Sequence, residues 1–405
     1  AEAWYRRADA LGDRNGAYNL GQVLRERGDL EGAEAAYRRA DERGGPDAAA
    51  NLGTRLEARG EIAEAEDAYR RADERGSPSG AYNLGLLLNR AGDRAGALAA
   101  FQRGDERGVP QASYLLGQTL EASGDRDGAE AAFARALERG LVEATWPLAA
   151  LIHDRGGAGE LEAVWRRADE LGDAQGAFNL GVVLIERGDT AGSLEAWRRA
   201  DDRGHGAAAH NVGVRLAEAG DSAAAELAYR RAMERGDGDG AQNLGALLRD
   251  RGDTAGGEAA TRVADELGSA DGANDLGVIL NRRGDVDGAE AAYRRADERG
   301  SAAGASNLGW LLRERGEWAE AERVLRRSDA RGDARGSLGL GVVLSHFGDE
   351  EGAEAAYRRA DERGSGDGAY ALALRLLARG ERREAREAAR RARDRGVHGD
   401  PRIRF

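Results

Sequence analysis

Apolar positions along the chain recur with a period of 32 residues. Leu20 and Leu24 lie four apart and so share one face of a helix. Both positions are aliphatic in all twelve copies, as Leu52/Leu56, Leu148/Ile152 and Val212/Leu216 show. Ala33, Tyr37 and Ala40 follow at spacings of four and three and mark a second apolar face. The pattern predicts a helix over roughly Gly16 to Arg27, a short turn, and a second helix before the next copy begins. No alternating apolar–polar run competes with it, and β-branched and aromatic residues are scarce, so strands are not expected.

Glycine punctuates the helices. Gly28, Gly60, Gly92 and their equivalents to Gly380 stand where a left-handed C-terminal cap ends the first helix. Gly44, Gly76 and Gly108 stand where one ends the second. Asp29, Glu61, Asp93, Asp125 and Asp189 follow the first cap and are placed to cap the second helix and complement its dipole. Pro46, Pro78 and Pro110 share one register in the opening turn of the next helix, where proline is favoured.

A further glycine sits inside the first helix. Ten copies carry it at the Gly21 position and two carry Ala149 and Ala373. A mid-helix glycine costs roughly 1 kcal/mol relative to alanine. Its recurrence predicts that another backbone passes close by, with Ala33 and Ala40 as the matching surface and Tyr37 beside them.

The segment Ala33–Gly44 (AEAAYRRADERG) returns unchanged at Ala289–Gly300 and Ala353–Gly364. Repeats of this length belong to solenoids and arrays. The Leu-Gly of the first helix, the Gly-Asp turn and Ala-x-x-x-Tyr-x-x-Ala resemble the tetratricopeptide repeat. The turn between copies, Ala-Asp-x-Arg-Gly and then Ala-x-Asn-Leu-Gly, resembles the Sel-one-like repeat. The resemblance implies an all-α, right-handed solenoid of antiparallel helix pairs. The expected organisation is a lone second-type helix over 1–12, bearing Trp4 and Tyr5, twelve helix pairs over 13–396 and a tail over 397–405. The lone helix suggests truncation from a longer array or an upstream domain. The charged segment Arg382–Arg395, with Ala389 in place of tyrosine, reads as a polar terminal cap.

Composition narrows the chemistry. There is no cysteine, which excludes disulfides and thiolate metal sites, and all 60 basic residues are arginine, which excludes a Schiff-base or P-loop lysine. This usage also hints at a GC-rich bacterial source. The net charge of −13 is the balance of 60 basic and 73 acidic residues rather than of blocks, which speaks against a polyanionic partner. No apolar run approaches the ~18 residues of a membrane span. The chain therefore reads as soluble and cytoplasmic, with no membrane or nucleic-acid partner.

His153, His205, His210, His346 and His398 form no paired-ligand spacing, so no metal is expected. Asp237-Gly-Asp239-Gly lacks the third acid and the distal glutamate of a calcium loop and reads as a helix cap. Arg-Gly-Asp at Arg27–Asp29 is a helix end followed by a cap. Arg38, Arg39 and Glu42 read as a solvated face paired within the helix, with Glu34 and Glu42 each four from Arg38. No catalytic residue and no cofactor are expected.

Tyr18, Gln22, Arg25 and Glu26 lie on the first helix away from Leu20 and Leu24. In the tetratricopeptide family that face lines the concave side, and asparagines of the Asn19 register touch bound peptide. The resemblance thus implies ligand contacts at Asn19, Asn51, Asn83, Asn179, Asn211, Asn243 and Asn307. An amide both donates and accepts, so it can pair with a peptide unit of any sequence, or equally with neighbouring backbone of its own repeat. Leu115, Pro147, Asp275, Gly339 and Ala371 break the ladder. The adjacent Tyr18, Tyr82, Tyr114, Trp146 and Phe178 are interface anchors or core packing. The groove carries both acids and arginines, which argues against a clamp for a terminal carboxylate. The chain is read as a scaffold for a protein or peptide partner. The alternatives are a structural solenoid that self-associates end to end and a regulatory array serving an effector domain outside this chain.

Overall fold

A computed structural model of the chain describes residues 1–397. Its regular structure among these residues is entirely helical. After helix Glu2–Ala10, pairs such as Arg14–Glu26 with Leu30–Glu42, and Pro46–Ala58 with Ile62–Glu74, follow one another as antiparallel neighbours. Two compact units emerge, residues 1–196 and residues 197 onward, with the division inside helix Thr190–Asp202. None of the described helices is long and apolar enough to cross a membrane.

Helix ends follow the glycine code. Positive φ recurs every 16 residues, from Gly12 (+86°) and Gly28 (+81°) to Gly396 (+83°), and at no other residue type. Asp29, Asp93 and Asp125 cap the second helices, each carboxylate accepting from the backbone N–H three residues on. Glu61, one methylene longer, makes no such cap. First helices begin about two residues earlier than the hydrophobic period suggests. Asp13 accepts from the backbone N–H groups of Asn15 and Gly16, and Ser77 plays the same part for Gly80. Asp237 likewise caps at Gly240, in keeping with the sequence reading. One first helix is irregular. Pro147 has no N–H to give, and there the chain enters through a 3-10 turn, Val142–Ala144, before a short helix Thr145–Asp154.

Within each pair the Leu20 and Leu24 rows face the Ala33, Tyr37 and Ala40 rows. Leu20, Leu24, Ala33, Tyr37 and Ala40 are all buried, Tyr37 completely. Burying each such leucine contributes roughly 1.5–3 kcal/mol. Gly21 is required by a ring rather than by the backbone expected from sequence. A Cβ there would stand 2.6 Å from the Tyr37 ring, and one at Gly85 would stand 2.5 Å from Phe101. A second backbone comes near only where the aromatic is absent, at Gly245, 3.0 Å from the Gly257 carbonyl opposite Thr261.

Successive pairs are joined by a buried charge cluster. Asp9 is 6% exposed and accepts from Arg39 Nη2 at 2.6 Å and from Arg43 Nη1 at 2.8 Å, both in the next repeat. Asp41 with Arg71 and Arg75, Asp73 with Arg103 and Arg107, and Asp265 with Arg295 and Arg299 repeat the arrangement. The expected solvated arginine face is therefore half right. Arg38 pairs within its helix with Glu34, but Arg39 turns to the preceding repeat and Glu42 is no partner of Arg38. Glu34 adds a second link, to Arg59 of the following repeat.

Two joints lack the aspartate. Leu137 stands in its place where Leu171 replaces the second arginine, and Met233 where Val263 and Leu267 replace both. Leu137 is buried with Leu171 packed alongside. At the Met233 joint the charge is lost together with both counter-charges; at the Leu137 joint Arg167 remains and pairs with Glu170 of its own helix.

These aspartates predict an acid limit. Burial by itself would raise the carboxyls of Asp105, Asp201, Asp265 and Asp361, but hydrogen bonds from their paired arginines hold each below its ordinary value near 3.8. A carboxyl depressed on folding stabilises the folded chain above its unfolded value and loses that contribution as pH falls through the folded one. Urea midpoints should stay level from pH 7 to about 5 and decline below about 4. A midpoint that rises on acidification would contradict the assignment.

Candidate partner-binding face

The first helix of each pair carries the Tyr18, Asn19, Gln22 and Arg25 registers; in the first pair Tyr18, Asn19 and Gln22 are half-buried and Arg25 is exposed. In the first unit Asn19, Asn51 and Asn83 are half-buried, and no hydrogen bond within the described residues uses their side chains. The Asn179 amide oxygen accepts from Gln175 at 3.1 Å. The aromatics beside them combine both expected roles. Tyr18 rests on Tyr37 with centroids 6.1 Å apart, Tyr114 on Phe133 at 5.6 Å and Trp146 on Trp165 at 5.3 Å. Each backs onto its own pair's core, yet Tyr18, Tyr82, Tyr114 and Phe178 remain half-buried and Trp146 is 56% exposed. A small network, Gln22 donating to Tyr18 and accepting from Tyr37, fixes the first of these rings.

The second unit spends its amides differently. Asn243 meets His210 Nε2 at 2.7 Å, and Asn307 donates to the Asn274 side-chain oxygen at 2.8 Å while accepting from Arg335. Gln242 and Arg249 both donate to Asp275. Asn211 is half-buried with no such bond. The asparagine register thus divides into open amides at Asn19, Asn51 and Asn83 of the first unit and amides engaged with neighbouring repeats at Asn243 and Asn307 of the second.

The histidines do structural work: His205 caps a helix at Ala208, and His346 stacks on Trp318 at 3.7 Å. His153 is exposed and His398 lies outside the described residues. Among the described residues no three His, Asp or Glu side chains converge as metal ligands. Several surface depressions lie between successive repeats. One is lined by Leu98, Leu116 and Leu120 with Asp105, Arg135 and Arg139. Those polar groups are already committed to each other, so the hollow offers a ligand little.

Sequence reasoning counted Arg313 among the groove arginines but passed over Trp310 and Arg335. The Arg313 guanidinium lies 4.3 Å above the Trp310 ring and that of Arg335 lies 5.7 Å from it. The available signal was a lone tryptophan at a register filled elsewhere by Gln22, Thr54, Leu86 and Gln118.

Tetratricopeptide repeat models match residues 82–144 and 306–368, and a second such model matches 15–39, 46–71, 174–199 and 270–295, together more than half of the chain. The chain belongs to the tetratricopeptide repeat proteins, whose members generally bind proteins or peptides. Among solved structures it is similar to a protective antigen present in uropathogenic Escherichia coli strains, which displays an SLR fold. The TM-score is 0.68 at 20% identity over 100% of this chain and 99% of that one. It is also similar to a Sel1 repeat protein from Oxalobacter formigenes, with TM-score 0.47 and 25% identity over 68% of this chain and 88% of that one. The first likeness establishes the solenoid fold and nothing about ligands. No curated protein matches the chain in sequence.

Proposed function

We propose that the chain is a scaffold that holds an extended protein segment on the first-helix face of its first unit. The observation that carries this reading is the set of open amides at Asn19, Asn51 and Asn83, in three successive repeats and flanked by Tyr18, Tyr82 and Tyr114. Half-buried amides without protein partners are suited to pair with peptide N–H and C=O groups. Exposed Trp146 offers an apolar anchor beyond them.

End-to-end self-association is less well supported. In the last helix Arg393 occupies the aspartate register. A second copy stacked by the same joint would bring Arg393 against Arg7 and Leu11, without a carboxylate to receive it.

The test is selection of binders from a random peptide library on the whole chain, followed by titration of a selected peptide. Asn19, Asn51 and Asn83 replaced together by alanine should weaken that peptide about tenfold or more, at about 0.5–1.5 kcal/mol per lost hydrogen bond, with unchanged helical circular dichroism. Undiminished affinity with intact helicity would sink the assignment.

A further inference from the structure

Most arginines of this chain are engaged with carboxylates, either in the inter-repeat joints or within their own helices. Three that are not gather in the second unit. Arg282 lies in the last turn of helix Ala270–Arg283 and has no ion pair within the described residues. Arg335, in helix Ala334–His346, donates to the neutral Asn307 side chain at 2.6 Å. Arg313, in helix Ala302–Glu314, has only its exposed sequence neighbour Glu314, at 3.8 Å.

Trp310 holds Arg313 and Arg335 together. Helix Ala302–Glu314 packs between the other two first helices. The Trp310 indole N–H reaches the Arg335 carbonyl at 3.4 Å, and its ring lies under the Arg313 guanidinium. Stacking on an indole fixes a guanidinium without using up its N–H donors. Tyr293, in helix Val286–Glu298, feels two of these arginines. Burial raises its hydroxyl, and both Arg335 and Arg282 lie close enough to oppose that rise. The Tyr293 hydroxyl itself makes no hydrogen bond to the described protein.

We propose that Arg313 and Arg335, assembled around Trp310 with Arg282 on the neighbouring helix, recognise a carboxylate side chain on a partner's acidic segment. The inference rests on the scaffold reading but concerns the second unit, away from the open amides of the first. A carboxylate fits because guanidinium donors meet it in a plane, two at a time. A long polyanion fits poorly. The chain carries a net charge of −13, and Glu314 lies 3.8 Å from Arg313. That field would repel a strand of phosphates more than a single carboxylate.

The experiment uses the full chain and three fluorescein-labelled peptides of equal length, with four glutamates, four glutamines or four lysines between Gly-Ser flanks. A single-stranded oligonucleotide and inorganic phosphate are run as competitors. The glutamate peptide should bind tightest, weaken between 50 and 300 mM salt, and lose about fivefold or more in affinity in the R313Q/R335Q variant. A control variant, R14Q/R94Q, changes two exposed arginines of the first unit and should bind as the parent does. W310F should also weaken the glutamate peptide while retaining the parent's circular dichroism. Equal binding of the glutamate and glutamine peptides would overturn the proposal, as would full retention of binding in R313Q/R335Q. Tighter binding of the oligonucleotide than of the glutamate peptide would overturn it in favour of a polyanion site. Loss of the triple-asparagine effect with retention of this one would refute the first-unit assignment and leave the present site standing.

Discussion

Asp73→Met alone should destabilise the joint between its repeat and the next by about 1.5–3 kcal/mol, whereas Asp73→Met with Arg103→Val and Arg107→Leu should recover most of that loss. Asp73 is 4% exposed and accepts from Arg103 Nε at 2.7 Å and from Arg107 Nη1 at 2.5 Å. Removing the carboxylate alone leaves two guanidinia facing an apolar side chain. Removing all three charges reproduces the combination Met233, Val263 and Leu267 that the chain already uses at another joint. Replacement of a buried ion cluster by packed apolar groups is often neutral or stabilising, while breaking one is not. Joints of a repeat array can open separately. Amide exchange in helices Ile62–Glu74 and Arg94–Glu106 is therefore the measurement to make. Equal destabilisation in the single and triple variants would show that the charges are independent of one another.

The second large effect lies inside a pair. Gly85→Ala should cost about 1–3 kcal/mol through overpacking, partly offset by roughly 1 kcal/mol of helix propensity. The added methyl would meet the Phe101 ring at 2.5 Å, and that ring is 1% exposed, so it has little room to retreat. Phe101→Ala alone should cost about 3–5 kcal/mol by leaving a cavity. The double variant should be more stable than the sum of the two predicts, because the new methyl enters space the ring has vacated. The chain supplies its own precedent, since Ala373 stands at the glycine register where Ala389 replaces the aromatic. Urea unfolding of the four proteins checks the coupling, and strict additivity would refute the ring-on-glycine explanation.

Both effects bear on how much the sequence reveals. The helix pairs are legible because leucine spacing and left-handed glycines repeat in every copy, and each is a local signal. The Gly21 register is visible too, but its cause is not. A conserved small residue says that something is close without saying whether a ring or a backbone occupies the space. The Asp9–Arg39–Arg43 joint escapes a local reading because its partners are 30 and 34 residues apart. Within one helix Arg39 looks like a surface charge. The joint becomes visible only when copies are compared at the substituted positions, Leu137 with Leu171 and Met233 with Val263 and Leu267.

The binding face is read less completely, for a related reason. Asn19 and Asn307 share one register and one local motif, Asn-Leu-Gly, yet Asn307 is held by Asn274 and Arg335 while Asn19 is not held. What separates them is the residue that the neighbouring repeats present. Tyr18, Tyr114 and Trp146 serve packing and surface at once, so no sequence criterion could assign them to one role.

Amide hydrogen exchange of the whole chain with and without a selected peptide tests the central claim most directly. Added protection is expected in helices Arg14–Glu26, Pro46–Ala58 and Pro78–Ala91, with the paired second helices Leu30–Glu42, Ile62–Glu74 and Arg94–Glu106 little changed. Protection confined to the second helices would contradict a partner held on the first-helix face.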